Sequence, residues 1–185
     1  KFKKYLFAFD LLGESSRTES QANFYFKQYF EAIETISSKF DYSEEISGKP
    51  NLSVKLTALH PRFELKNLDE LKTNLLPRLS ELVEKIRQKD LTITFDAEES
   101  TRLDCYMEFL TMLLVKKEFS DFDGIGLVVQ AYQTRSYQTL EKIIDLAKKR
   151  KTKIIVRLVK GAYWDSEIKR AQELGLEQYP VFTKK

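Results

Sequence analysis

Lys55, Asp96, Gln130 and Arg157 stand in the closing halves of four different strand-like runs: "NLSVKL" (51–56), "LTITFD" (91–96), "GIGLVVQ" (124–130) and "KIIVRLV" (153–159). The last run continues into Lys160, Tyr163, Trp164 and Asp165. A strand that only filled a core would end in turn residues, not in cations and aromatics. If these strand ends meet, the cations would hold an anion, such as a substrate carboxylate or a charge-rich cofactor, and Asp96 would pair with them and fix their positions. A purely structural ion-pair cluster is the competing reading.

Other chemistries use the same residues. "DAEES" (96–100) supplies Asp96, Glu98 and Glu99, and His60 is the single histidine, which raises a metal site. Asp96 and Glu98 would share a strand face while Glu99 starts a helix, so no metal is expected. His60 precedes Pro61, which favours an extended backbone, and reads as a loop histidine bonding the main chain. Lys55 or Lys160 at a strand end would also suit a Schiff-base, aldolase-like barrel if its pKa were depressed; Asp96 opposes that. A catalytically silent βα scaffold is a third reading. No glycine-rich phosphate loop of the GxGxxG or Walker type occurs, so a bound dinucleotide would not use a Rossmann fingerprint.

Composition narrows the classes. The chain has 185 residues, 42% hydrophobic and 32% charged, enough for one sizeable domain. Its 31 basic and 28 acidic residues leave +3, scattered, which argues against nucleic acid as a partner. No apolar stretch approaches the roughly 20 residues that span a bilayer, and no signal-peptide pattern is evident. The lone Cys105 excludes an internal disulfide, suits a reducing compartment and reads as packing.

Five strand-like runs, the four above and "YLFAFD" (5–10), each precede a helical periodicity. Thr18 and Gln21 have capping-box spacing, and Phe26, Phe30, Ile33 and Phe40 can share one face. Leu68, Leu71, Leu75, Leu79, Leu82 and Ile86 mark a second helix that Pro77 should kink or divide. A third, over 100–117, turns Leu103, Tyr106, Phe109, Leu110 and Leu113 inward. A fourth near 136–150 is capped by Ser136 and packs Leu140, Ile143, Ile144 and Ala147. The last, 165–174, stops at Gly175. "DYSEEISGKPN" (41–51) reads as an inserted loop.

The alternation predicts a parallel sheet with helical crossovers. Alternate strand positions separate two architectures. One face is apolar throughout, from Leu52, Val54 and Leu56 to Ile154, Val156 and Leu158, as a helix-covered exterior requires. The other carries Lys55, Asp96, Gln130 and Arg157 near the strand ends, where barrel enzymes build their sites. The expected fold is therefore α/β, a (βα)8 TIM-type barrel of which the chain holds the first five βα units; an open doubly wound sheet is the alternative.

Taken together, "VKLTALHPRF", "FDAEES", "GLVVQAYQTR" and "RLVKGAYWDSEIKRAQ" resemble the proline dehydrogenase family. The last of these, with "GLEQYP", is most similar to the proline dehydrogenase domain of bifunctional proline utilization A flavoenzymes. The resemblance covers essentially the whole chain. It implies a barrel that binds FAD non-covalently, oxidises L-proline to Δ1-pyrroline-5-carboxylate by hydride transfer to flavin N5, and passes electrons to a membrane quinone. It further implies that Lys55 helps hold the proline carboxylate and that Asp96 is a carboxylate near flavin and substrate. Gln130 would contact the flavin, Arg157 would sit by its reactive edge, and Tyr163 would lie close to the substrate. The backbone from Val159 through Lys160, Gly161 and Ala162 to Trp164 would pass along the cofactor. A cytoplasmic location, with peripheral contact to the inner membrane through the parent protein, is implied as well. The family's later strands and C-terminal helix fall beyond residue 185. Residues 1–185 are therefore expected to be the N-terminal part of such a domain, with weak FAD binding and negligible turnover on their own.

Overall fold

The structure is a computed structural model that describes residues 7–39 and 48–184. Five strands alternate with helices: β1 (Ala8–Asp10), α1 (Glu19–Lys39), β2 (Asn51–Lys55), α2 (Leu56–Leu59), α3 (Leu68–Gln88), β3 (Thr92–Asp96), α4 (Leu103–Leu114), β4 (Ile125–Gln130), α5 (Ser136–Arg150), β5 (Ile155–Val159) and α6 (Trp164–Glu173). All pairings are parallel and the spatial order equals the chain order, β1-β2-β3-β4-β5. A doubly wound sheet reverses its strand order at a switch point. Among the described strands there is no reversal, so each crossover advances the sheet in one direction, as in a barrel.

One side chain shows how far the sheet curls. Arg157 on β5 reaches Ser53 on β2, three strands away. In a flat sheet that separation would be roughly 14 Å, from a spacing of about 4.8 Å, beyond an arginine's reach. The concave face must fold β5 back towards β2.

Leu52, Val54, Ile93, Phe95, Ile125 and Leu127 point outwards and are buried under the helices. α3 opposes them with Leu71, Leu75, Leu79, Leu82, Val83 and Ile86, and runs unbroken through Pro77. The expected division there is absent. α4 buries Leu103, Tyr106, Phe109, Leu110 and Leu113 as its periodicity predicts, with Cys105 beside them. Tyr106 also performs a backbone task. Its hydroxyl donates to Phe95 O at 2.7 Å and accepts from Val128 N at 3.0 Å, filling the gap where β3 and β4 separate.

Several expectations need correction. The fully buried stripe of α1 is Ala22, Tyr29, Ile33 and Ile36; Phe26 and Phe30 pack with Ile33 against the core as expected, though only half-buried, and Phe40 lies outside the described residues. Thr18 Oγ1 does accept from Gln21 N, but Gln21 Oε1 accepts from Arg17 N, one residue before the cap. In α5, Thr139, Ile143 and Leu146 are buried, whereas Ile144 is exposed and Ser136 makes no cap. Val156 and Leu158 are 38% and 67% exposed, so the helix layer among the described residues ends before β5. Of the loop expected at 41–51, residues 41–47 lie outside the described residues and Asn51 begins β2.

Candidate active site

Parallel register sets the site. Lys55 and Asp96 are direct partners at the ends of β2 and β3. Lys55 Nζ lies 3.3 Å from Asp96 Oδ2 and 3.0 Å from Asp10 Oδ1, at the end of β1. From β5, Arg157 Nη1 approaches Asp96 Oδ1 at 3.3 Å, and its Nη2 donates to Ser53 Oγ at 2.7 Å and Asn51 Oδ1 at 3.2 Å. Asp96 thus sits between two cations, and the two cations face two carboxylates.

The electrostatics follow from partial burial. Burial alone would lower the Lys55 pKa, but Asp10 and Asp96 outweigh it and hold the ammonium above its ordinary value. Burial pushes Asp96 upward, with Lys55 and Arg157 pulling against it. A protonated lysine is a poor nucleophile, so the Schiff-base reading loses the depressed pKa it requires.

Gln130 is buried on the same face, two residue pairs above Arg157, since Val128 opposes Arg157 and Gln130 opposes Val159. Its amide is used in both directions: Nε2 donates to Glu98 O at 2.7 Å and Oε1 accepts from Ala162 N at 3.3 Å. The loop after β5 is shaped by Gly161, whose φ is +125° and whose absent Cβ would overlap the Tyr132 ring at 1.5 Å. Only glycine meets both demands. Val159 and Lys160 carbonyls accept from Ala131 and Tyr132 N–H groups, which seats this backbone on the end of β4. Tyr163 then crosses to the loop after β1, where its hydroxyl meets Glu14 Oε2 at 3.2 Å. Trp164 is turned outward and donates from Nε1 to Phe182 O.

The structure therefore brings Lys55, Asp96, Gln130 and Arg157 to one concave face. It leaves the exposed Lys160 side chain out of that group. His60 lies just past α2 and is buried, with Nδ1 accepting from Arg62 N at 3.2 Å, the backbone bond expected of it. Among the described residues no group of three or more His, Cys, Asp or Glu side chains is placed to hold a metal. Burial raises the Cys105 thiol to about 11, which suits packing.

Sequence reasoning missed Asp10, Asn51, Thr57 and Glu14. Asp10 ends a strand as Asp96 does, and its register with Ser53 places it beside Lys55; that position was the available signal. Glu98, weighed only as a metal ligand, is buried against Thr57.

The arrangement can bind an anion without leaving an unpaired buried charge beforehand, because Asp10 and Asp96 hold the cations until it arrives. The cations Lys55 and Arg157 and the Gln130 amide give this face the positive charge and polar groups that an anionic cofactor would need.

The model of the family described as Proline dehydrogenase matches residues 1–185. Bifunctional protein PutA of Escherichia coli (strain K12) is 44% identical over 183 residues, which is 99% of this chain and 14% of that protein. Proline dehydrogenase 1 of Bacillus subtilis (strain 168) is 29% identical over 157 residues, 85% of this chain and 44% of its own length. The crystal structure of a bifunctional proline utilization A (PutA) protein superposes with a TM-score of 0.92 at 44% identity, over 97% of this chain and 18% of that one. PutA from Bdellovibrio bacteriovorus inactivated by N-propargylglycine gives 0.88 at 31% identity, over 98% of this chain and 20% of that one. The chain thus spans less than a fifth of the first PutA relative.

Proposed function

The chain belongs to the proline dehydrogenase family, and from that premise we propose that the concave mouth of its sheet is part of a site where L-proline is oxidised to Δ1-pyrroline-5-carboxylate with FAD, the electrons passing on to quinone. The observation that carries this reading is the convergence of Lys55, Asp96 and Arg157 from three strands on one face. A βα scaffold without chemistry has no need of a half-buried charge cluster at the strand ends.

When bound, FAD supplies the ring that accepts the hydride from proline C5. The protein's residues do the rest. Lys55 offers its ammonium to the proline carboxylate, exchanging an Asp10 or Asp96 contact for the substrate. Asp96, still beside Arg157, keeps both cations oriented. Arg157 would hold the cofactor beside it by offering positive charge to an electron-rich ring. The Val159–Trp164 backbone and Gln130 shape the cofactor's bed, and Tyr163, tethered to Glu14, walls the substrate side. As the C=N bond forms, the proline nitrogen releases one proton to solvent, so that the hydride and this proton account for the two hydrogens removed.

Residues 1–185 correspond to the first part of such a domain; a protein made of them alone binds FAD weakly and turns over negligibly. A protein carrying this site would work in the cytoplasm, with peripheral contact to the inner membrane. Among the described residues no helix is long and apolar enough to cross a membrane.

Lys55→Met and Arg157→Met in the FAD-loaded enzyme carrying this segment are the test. Each should lower kcat/KM for proline by roughly tenfold or more, the loss usual for a charge-assisted contact. Unchanged proline oxidation in both would overturn the reading. Borohydride trapping of a lysine adduct with a carbonyl substrate would point to the aldolase-like alternative.

A further inference from the structure

The segments that close or follow the five strands are joined at the mouth by one continuous hydrogen-bonded belt that is separate from the sheet ladder. After β1, the Ser15 N–H donates to Thr57 Oγ1 at 3.0 Å, and Ser16 donates from N and Oγ to Thr57 O at 2.9 and 3.0 Å. Thr57, after β2, donates from its N–H to Glu98 Oε1 at 3.3 Å and from its hydroxyl to Glu98 Oε2 at 2.5 Å. Glu98, after β3, accepts from Gln130 Nε2 through its main-chain carbonyl. Gln130, closing β4, accepts in turn from the Ala162 N–H after β5.

Ser16, Thr57, Glu98 and Gln130 are all buried. The proton accounting is complete at Thr57: a hydroxyl has one donor, spent on Glu98, so it can only accept from Ser15. Glu98 is the one member whose side chain could carry a charge, and its carboxylate and main-chain carbonyl reach two different strands' ends. Burying a carboxylate is costly unless it is well bonded, and neither Lys55 nor Arg157 is its partner. A residue kept at such cost outside the charge cluster calls for a role.

Resting on the proposed proline-oxidising site, we propose that Glu98 is a positioning residue: its carboxylate clamps the helical turn after β2 and its carbonyl clamps the end of β4 and, through Gln130, the loop after β5. Lys55 ends β2 and Arg157 stands mid-way along β5, and the loop after β5 carries the backbone of the cofactor bed. Holding these three in one arrangement preorganises the mouth for flavin and proline without Glu98 touching either.

The test uses Glu98→Ala, Glu98→Gln, Thr57→Val and Thr57→Ser in the FAD-loaded enzyme, with two readouts beside turnover. These are the FAD dissociation constant from titration of the apo-protein and amide hydrogen exchange at Thr57 and Ala162. Glu98→Ala should weaken FAD about tenfold and speed exchange at both amides. Glu98→Gln and Thr57→Val should give smaller shifts in the same direction, and Thr57→Ser should restore both readouts to wild type. Should Glu98→Ala fail to fold, the Gln and Val variants carry the test. FAD affinity within twofold of wild type in Glu98→Gln and Thr57→Val, with exchange unchanged, overturns the clamp. If Lys55→Met and Arg157→Met retain proline oxidation, the site reading itself fails; if they lose it while the Glu98 and Thr57 variants match wild type, only the clamp fails.

Discussion

Arg157 Nη2 donates to Ser53 Oγ at 2.7 Å, tying the fifth strand to the second across the concave face. The bond is charge-assisted and half-buried, so Ser53→Ala should destabilise the protein by roughly 1–3 kcal/mol. The same change made in an Arg157→Met background should cost much less. A double-mutant cycle by chemical denaturation measures the coupling; equal costs in both backgrounds would mean that the contact contributes nothing.

Tyr106 provides a purely structural counterpart. Its hydroxyl serves Phe95 O and Val128 N from a fully buried position where β3 and β4 part. Tyr106→Phe would leave both main-chain groups without a partner, at a cost of about 1–3 kcal/mol each. A drop in the unfolding midpoint with an unchanged m-value is the expected result. A stability matching wild type would show that water reaches the gap and takes over both bonds.

The strands and the polar face were legible because side-chain alternation along a parallel strand is strict. Lys55, Asp96, Gln130 and Arg157 follow from a period of two and a shared direction, whatever the helices do. Helix faces were less legible. Ile144 has the right spacing to pack, yet it stays exposed while Thr139 is buried, because what lies over a helix is a tertiary fact. The belt was invisible for the same reason. Ser16 and Ala162 are ordinary loop residues and Thr57 sits in a single helical turn, and only the side-by-side order of the parallel strands brings Ser16 to Thr57, Thr57 to Glu98, and Ala162 to Gln130.

Glu98 should also leave a signature in stability against pH. Burial first, opposed by the Thr57 bonds, raises its carboxyl from 4.5 to about 7. The folded form therefore holds its proton to higher pH than the unfolded chain does. The stability this contributes is fully present below 4.5 and is lost as pH rises through about 7. Measured against Glu98→Gln, the wild type should lose up to about 3 kcal/mol across that interval, at about 1.4 kcal/mol per unit. A flat difference would mean that the carboxylate is ionised in the fold without penalty.

His60 predicts the opposite arm. It is 1% exposed, its Nε2 has no hydrogen-bond partner, and that atom lies 3.8 Å from both Glu19 Oε1 and Glu70 Oε1. Burial lowers its pKa; Glu19 and Glu70 pull it back up, and Arg78 and Arg62 push it down. The folded protein thus holds a neutral imidazole that the unfolded chain protonates more readily. Its contribution is present above the unfolded value of 6.5 and is lost as pH falls through the lowered folded value. His60→Asn keeps an acceptor for the Arg62 N–H but cannot titrate. Denaturation midpoints at several pH values should show the wild type losing stability relative to this variant below 6.5, with a slope of at most about 1.4 kcal/mol per unit. If the two curves stay parallel, the flanking carboxylates already accommodate an imidazolium, and the buried ring is not held neutral.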